Sequence, residues 1–153
     1  MPDRPTTPED AYLAFFLEVG ILAQLSRAIF EARLPPGFTL SQFTVLNHLV
    51  RVKDGRTPLE LARAFQVPKT SMSHSLAVLE RHGLIMLAPN GKDGRSKCVW
   101  LTEAGGAFRS RALEGVIPEM SALHAAFPAD KVAAALPTLS ALRKTMDDLR
   151  SAE

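Results

Sequence analysis

The chain has one cysteine, one tryptophan and one tyrosine in 153 residues. With Cys98 alone, no disulfide can form within the chain. Only Lys97 stands near it to activate a thiolate, so a passive strand residue is expected. His48, His82 and His124 are too scattered to read as a metal site, and no Cys or carboxylate spacing supplies further ligands. Neither a metal nor a cofactor is therefore expected. The chain has no paired carboxylates at a catalytic spacing and no glycine-rich phosphate loop. Ser73 and His74 are adjacent on a helix and diverge, which removes the nearest nucleophile–base pair. An enzyme is excluded on these grounds. No uninterrupted apolar run approaches the ~20 residues of a membrane span, and no charged-then-apolar signal layout opens the chain, so no membrane partner and a cytoplasmic location are expected.

Charge of one sign is also scarce overall. The net charge is +2, but it is unevenly placed. Residues 51–111 hold 11 Lys/Arg against 5 Asp/Glu, while the rest of the chain holds 7 against 11. A segregated positive balance suits phosphate binding by that middle segment. The length fits one domain, 1–153, with room for a core, and 46% apolar residues is ordinary for a globular chain.

The middle segment holds the informative pattern. Thr57-Pro58-Leu59-Glu60 is a helix start, with a capping Thr, Pro at the first helical position and Glu three residues after the Thr. Leu61, Ala62 and Phe65 give a short apolar face, and Pro68 stops the helix by disfavouring helical geometry at Val67. A second helix is predicted from about 69 to 81, with Met72, Leu76 and Leu79 inward. Its other face carries Lys69, Thr70, Ser71, Ser73 and His74. A helix that enters a major groove needs short polar side chains near its N-terminus, because bulky ones hold the backbone away from the base edges.

Gly83 is placed to take the left-handed conformation that ends this helix. A short strand over 84–88, a turn-rich tip over 89–95 and a return strand over 97–101 follow. Gly91, Gly94, Asn90 and Asp93 are expected to supply positive backbone angles at the tip. Lys92, Arg95 and Lys97 load that tip with positive charge. Beside a recognition helix, such a hairpin reaches phosphates and the adjacent minor groove, where a guanidinium is favoured. Helix–turn–helix followed by a basic hairpin is the order of a winged-helix DNA reader.

Several segments resemble the MarR family of bacterial multiple-antibiotic-resistance-type regulators: residues 61–62, 67–74, 79–85 and above all 93–105. The most specific piece is the wing, Asp93-x-Arg95, five residues, then Leu101-Thr102-Glu103-x-Gly105. The resemblance extends over nearly the whole chain. It implies an obligate homodimer that binds double-stranded DNA at a pseudo-palindromic operator and is often released by a small molecule. Carried over residue by residue, it makes Thr70, Ser71, Ser73 and His74 the base-facing positions. Arg95 becomes the minor-groove arginine, and Asp93 the acid that orients it. The chain departs from its relatives at position 74, where His replaces the commoner Arg, and at Pro68, where a capping Ser or Asp is usual.

The fold expected is mainly α with a small β-hairpin wing. A winged helix over about 39–102 is flanked by dimerisation helices over about 7–34 and 103–151. In the first, Leu13, Phe16, Leu17, Ile21 and Leu25 form an apolar stripe. In the next, starting at Thr39, the residues Phe43, Leu46, Leu49 and Val50 should face inward. After the wing, Thr102 caps a long helix that Pro118 should kink or divide. The last helix repeats Val132, Ala135, Leu139, Leu142, Met146 and Leu149 near a 3.5-residue period, which suits a helix–helix seam. A small aromatic ligand is expected where the first two helices meet the winged helix, lined by Phe15, Phe16, Phe43, His48 and Arg51. The function read is a homodimeric repressor relieved by a small molecule. The alternative is a winged-helix protein-interaction module, which would tolerate loss of Lys92 and Arg95.

Overall fold

A computed structural model describes residues 6–151. Along the chain run α1 (Pro8–Glu31), α2 (Leu40–Arg51), α3 (Pro58–Ala64), α4 (Lys69–Arg81), β1 (Ile85–Asn90), β2 (Asp93–Leu101), α5 (Glu103–Ala126) and α6 (Ala129–Ser151). The architecture is the expected one, mainly helical with an antiparallel two-stranded hairpin. Contacts fall into two compact units, one ending at Val116 and one beginning at Ile117.

The helix starts are written locally. Thr7 and Asp10 form a reciprocal capping box on α1, and Thr57 and Glu60 form one on α3. At the start of α2 the Gln42 carboxamide oxygen accepts from the Thr39 N–H at 2.8 Å. Thr102 Oγ1 accepts from the Gly105 N–H at 3.0 Å and donates to the Gly83 carbonyl at 2.7 Å, tying the start of α5 to the end of α4. Such caps satisfy N–H groups that the helix cannot satisfy itself. α4 has no side-chain cap, since Pro68 occupies that position.

One core holds the first unit together. Leu46, Leu61, Leu79, Val45 and Val99 are essentially sealed from solvent, and Phe43, Leu49, Met72, Leu76, Leu84 and Phe108 surround them. These come from α2, α3, α4, the hairpin and the start of α5, so each amphipathic helix loses its apolar stripe into a shared interior. Val50, expected inward, is exposed instead. It follows Leu49 by one residue, and a 100° step around the helix carries it off the buried face.

Two glycines are fixed by packing. Gly55 has φ +72°, and a side chain there would collide with the indole of Trp100 at 2.6 Å. A Cβ on Gly105 would run into the Leu84 carbonyl oxygen, so α5 lies against the chain leading into β1 through a bare backbone position.

The terminal helices behave differently. Neither α1 nor α6 buries a single residue. Tyr12, Leu13, Phe16, Leu17, Ile21, Leu22 and Leu25 stand exposed on α1. In the second unit Val132, Leu136, Leu139, Met146 and Leu149 do so on α6, with Ile117, Met120 and Leu123 on the end of α5. By length and composition α1 could cross a membrane, with a mean hydropathy of 1.6. That corrects the expectation that no stretch approaches this length. Glu18 and Arg27 interrupt the run residue by residue, but an average over 18 positions tolerates two charges. α5 is also undivided at Pro118, contrary to one of the two expectations for it. Pro118 is exposed, so water can reach the carbonyl that proline leaves without a donor.

Candidate nucleic-acid interface

The helix expected to read DNA is α4, with the bounds its pattern predicts. Met72, Ser75, Leu76, Val78 and Leu79 are buried against the core. Lys69, Thr70, Ser71, Ser73 and His74 are exposed at its N-terminal half. Their side chains make no hydrogen bonds among the described residues, so their donors and acceptors are available to an incoming partner. α3 packs directly on α4 through Leu61 and Ala62. The connection between them uses a positive φ of 55° at Gln66, an unusual angle for a residue other than glycine. The Val67 N–H reaches back to the Ala62 carbonyl at 3.0 Å, closing the turn of the helix–turn–helix. At the far end, Gly83 has φ +69° and the Leu84 N–H returns to the Leu79 carbonyl, the left-handed stop its position predicts.

The wing is longer and tighter than the sequence reading. β1 reaches Asn90 and β2 begins at Asp93, leaving only Gly91 and Lys92 between them. Gly91 and Gly94 do not take the positive φ expected of them; the described positive-φ residues are Gly37, Gly55, Gly83 and Gln66. Side chains hold the tip instead. Asn90 Oδ1 accepts from the Lys92 N–H at 3.1 Å, and Asp93 Oδ1 accepts from the Arg95 N–H at 3.0 Å. The Asn90 amide also donates to Ser96 Oγ at 3.0 Å. These contacts close local turns without left-handed backbone. The ladder slips between Pro89, which pairs with Lys97, and Asn90, which pairs with Asp93. Proline offers no N–H to continue the regular ladder there.

Lys92, Asp93, Arg95 and Lys97 are all exposed on this hairpin. The hydrogen bond that Asp93 makes to Arg95 goes to its backbone, so Asp93 shapes the tip that carries the guanidinium. Cys98, expected to be a passive strand residue, is buried beside buried Val99. A third segment pairs with the same part of β2. Arg56 bridges to Val99, whose N–H donates to the Arg56 carbonyl at 2.7 Å, while the Gly55 N–H donates to the Val99 carbonyl. Asp54 Oδ1 fixes the same junction, accepting from the N–H groups of Leu101 and Gly55 at 3.0 Å each. Nothing in the sequence pattern flagged Asp54 or Arg56; a Gly55 flanked by charges was the one available signal.

Of the five residues expected to line an aromatic-ligand site, Phe15 and Phe16 sit on α1, and Phe43, His48 and Arg51 on α2. The Phe15 and Phe16 rings meet each other edge-on at 5.6 Å along α1. Phe43 packs on Phe30 at 5.3 Å in the core, and His48 packs on Phe65 at 5.3 Å. Arg51 is exposed at the end of α2. Burial holds the His48 imidazole below its ordinary value of 6.5, and the Arg56 charge adds to that shift. Among the described residues, two clefts lie elsewhere, between α2 and α4. One of about 190 Å³ includes Leu40, Phe65, Val67 and Met72, and one of about 440 Å³ includes Thr39, Gln42, Thr70 and His74.

A short helix packed under an exposed polar helix, followed by a basic hairpin, defines a winged helix–turn–helix protein. Residues 37–96, spanning the helix–turn–helix and most of the wing, match the model of the MarR family. Wild-type MarR from E. coli, in its apo form, is 27% identical, with a TM-score of 0.66 over 84% of this chain and 93% of that one. The transcriptional regulator BldR from Sulfolobus solfataricus shares the fold at 18% identity, with a TM-score of 0.76 over 89% of this chain and 99% of that one. PcaV from Streptomyces coelicolor, solved in complex with its natural ligand, shares it at 21% identity, with a TM-score of 0.69 over 94% and 96%. Over the winged helix this chain is thus similar to MarR-family transcriptional regulators, the family its sequence resembles. The family and these neighbours are transcription regulators and not enzymes.

Proposed function

We propose that the chain is a homodimeric repressor that binds a pseudo-palindromic operator in double-stranded DNA and is released by a small molecule. The observation that carries the reading is the joint exposure of two surfaces. The N-terminal half of α4 presents Lys69, Thr70, Ser71, Ser73 and His74 with unspent hydrogen-bonding groups, and the hairpin presents Lys92, Arg95 and Lys97. Short polar groups on a helix suit base edges in a major groove, and a guanidinium on a hairpin tip suits the minor groove alongside. Asp93 serves that contact by setting the shape of the tip. His74 in place of arginine exchanges a two-pronged guanine contact for a single one.

Dimerisation fits the exposed apolar faces of α1 and α6. Leaving so many Leu, Ile, Val and Phe side chains in water is costly, and a second copy that covers them recovers about 25 cal/mol per Å² of apolar surface. The same need accounts for α1 without a membrane, consistent with a cytoplasmic protein. Two recognition helices about 34 Å apart would read a spaced inverted repeat, giving the specificity that one half-site lacks. A ligand that favours another spacing of the two winged helices would release the DNA. The ligand-bound state of PcaV supports a small-molecule response by analogy only.

Selection of genomic DNA fragments by the purified protein, beside Arg95→Ala at two salt concentrations, tests the reading. Enrichment of an inverted repeat is expected, with the variant weaker and its salt dependence shallower by about one charge. A folded dimer that enriches no sequence, or an Arg95→Ala variant that binds as well as the parent, would favour the protein-interaction module.

A further inference from the structure

His48 and Arg56 each bury a side-chain nitrogen, Nε2 and Nε, that meets no hydrogen-bond partner among the described residues. Native proteins seldom leave buried polar atoms unsatisfied, so two such atoms call for a reason beyond packing. The His48 imidazole packs on the Phe65 ring at 5.3 Å, which offers Nε2 no acceptor. The charge that acts on that imidazole is the Arg56 guanidinium.

Arg56 also belongs to the base of the wing. Its carbonyl accepts from the Val99 N–H at 2.7 Å, and the Gly55 N–H donates to the Val99 carbonyl at 3.0 Å. Lys97 and Arg95 lie two and four residues back along β2 from this junction. The Arg56 guanidinium meanwhile donates from Nη1 to Glu60 Oε1 on α3 at 3.1 Å. One residue therefore links the His48 ring, α3 and the strand that carries the basic tip.

The other charged groups on the surrounding elements are committed or face solvent. Glu60 Oε2 accepts from the Thr57 N–H, which keeps the Glu60 carboxyl below its ordinary value of 4.5. Asp54 Oδ1 accepts from the Gly55 and Leu101 N–H groups. On α5, Arg109 donates from Nε and Nη2 to Asn47 Oδ1, while Arg51, Lys53, Arg63 and Lys97 are exposed.

We propose that His48 is an acid-sensitive latch on the wing. Protonation of its ring loosens the Arg56–Val99 junction and so weakens DNA binding, a consequence that rests on the DNA-binding reading. A proton on the imidazole puts a charged N–H at Nε2, where no acceptor waits. It also sets a second cation beside a guanidinium that keeps its own proton. Glu60 does not relieve the pair, since Arg56 and Thr57 already hold its two oxygens. The helix is the firmer side, because buried Leu46 and Leu49 fix α2 on either side of His48. Residues 54–56 are a short link held to β2 by a few hydrogen bonds, so the link yields first. Burial and the Arg56 charge hold the ring below its ordinary 6.5 while the latch is closed. Proton uptake therefore favours the open junction as pH falls through that value. The sign opposes the general gain in DNA affinity that added positive charge brings.

Hydrogen exchange of the full chain without DNA, corrected for the intrinsic effect of pH, reads the latch at the Val99 amide. From about pH 7.5 to about 5.5 its protection should fall several-fold, at most about tenfold for one proton. The Leu84 amide, bonded to the Leu79 carbonyl, should keep its protection. In His48→Gln and in His48→Phe the Val99 amide should hold alike at both pH values. Unchanged Val99 protection in the parent, a fall that persists in a folded variant, or an equal fall at Leu84 overturns the latch. In a second arm, a duplex enriched by the selection above is titrated at both pH values. The parent should lose affinity on acidification by a similar factor relative to His48→Gln; His74 is common to both proteins and cancels. Equal ratios overturn the consequence for DNA. Absence of DNA binding by either protein at either pH would sink the DNA-binding reading and that consequence with it, apart from the exchange result.

Discussion

α4 and α6 are both amphipathic helices, of 13 and 23 residues, yet they stand at opposite extremes of burial. α4 buries five residues, two of them, Ser75 and Val78, beyond the leucines and methionine its spacing picks out. α6 repeats its apolar residues just as regularly and buries none. Periodicity therefore announces that a face needs covering without saying what covers it. For α4 the cover is α2, α3 and the hairpin of its own chain. For α6, on the reading above, it is a second copy.

The sharpest way to break that contrast is to truncate one leucine on each helix. Leu79 is fully buried on α4, so Leu79→Ala should lower unfolding stability by about 2–5 kcal/mol at every protein concentration. Leu139 on α6 is 39% exposed, and Leu139→Ala should act mainly through association, with a loss that grows on dilution. Denaturant unfolding at several concentrations separates the two; equal, concentration-independent losses would end the contrast.

A smaller effect tests whether the start of α5 belongs to the self-sufficient region. Gly105→Ala places a Cβ against the Leu84 carbonyl and within 2.9 Å of a Leu101 methyl. A backbone oxygen cannot swing aside, so a loss of about 1–3 kcal/mol is expected in thermal melts. Gly106, whose Cβ would meet only a Leu101 methyl at 3.8 Å, is the control: Gly106→Ala should be neutral or slightly stabilising, since alanine is the better helix former. Equal melting temperatures for the two variants would refute the close approach.

The smallest effect concerns His48, held below the ordinary imidazole value by burial, with Arg56 adding to the shift. A lowered folded-state value means the unfolded chain takes up the proton first. Stability should therefore fall as pH drops below about 6.5 and level off once the folded ring is itself protonated. Relative to the parent, His48→Gln should flatten that part of the pH–stability curve. Parallel curves would show that the ring titrates alike in both states.

Much of the reading frame was legible because it is local. Thr57 with Glu60, Thr7 with Asp10 and Gly83 after Arg81 are signals contained in four or five neighbouring residues, and the helix bounds follow them closely. The wing was legible as a hairpin but not in its register. Asn90 and Asp93 close it with side-chain hydrogen bonds, so the nearby glycines were not needed for the backbone angles assigned to them. The pairing of residues 54–56 with β2 was not legible, since no local pattern records that Arg56 meets Val99 or that Asp54 meets Leu101.

By itself, then, the sequence determined where helices start and stop, which face of each must be hidden, and that positive charge gathers on the winged helix. Those properties depend on side chains a few positions apart, where covalent connection already brings the groups together. The tertiary structure alone decided that Gly55 must make way for Trp100. It also decided that Val50 faces water and that Ser75 and Gln42 meet in one groove. Each of these depends on pairs of residues 30 or more positions apart, or on which side of a helix a neighbour packs, and no local pattern records which distant groups the core will bring into contact.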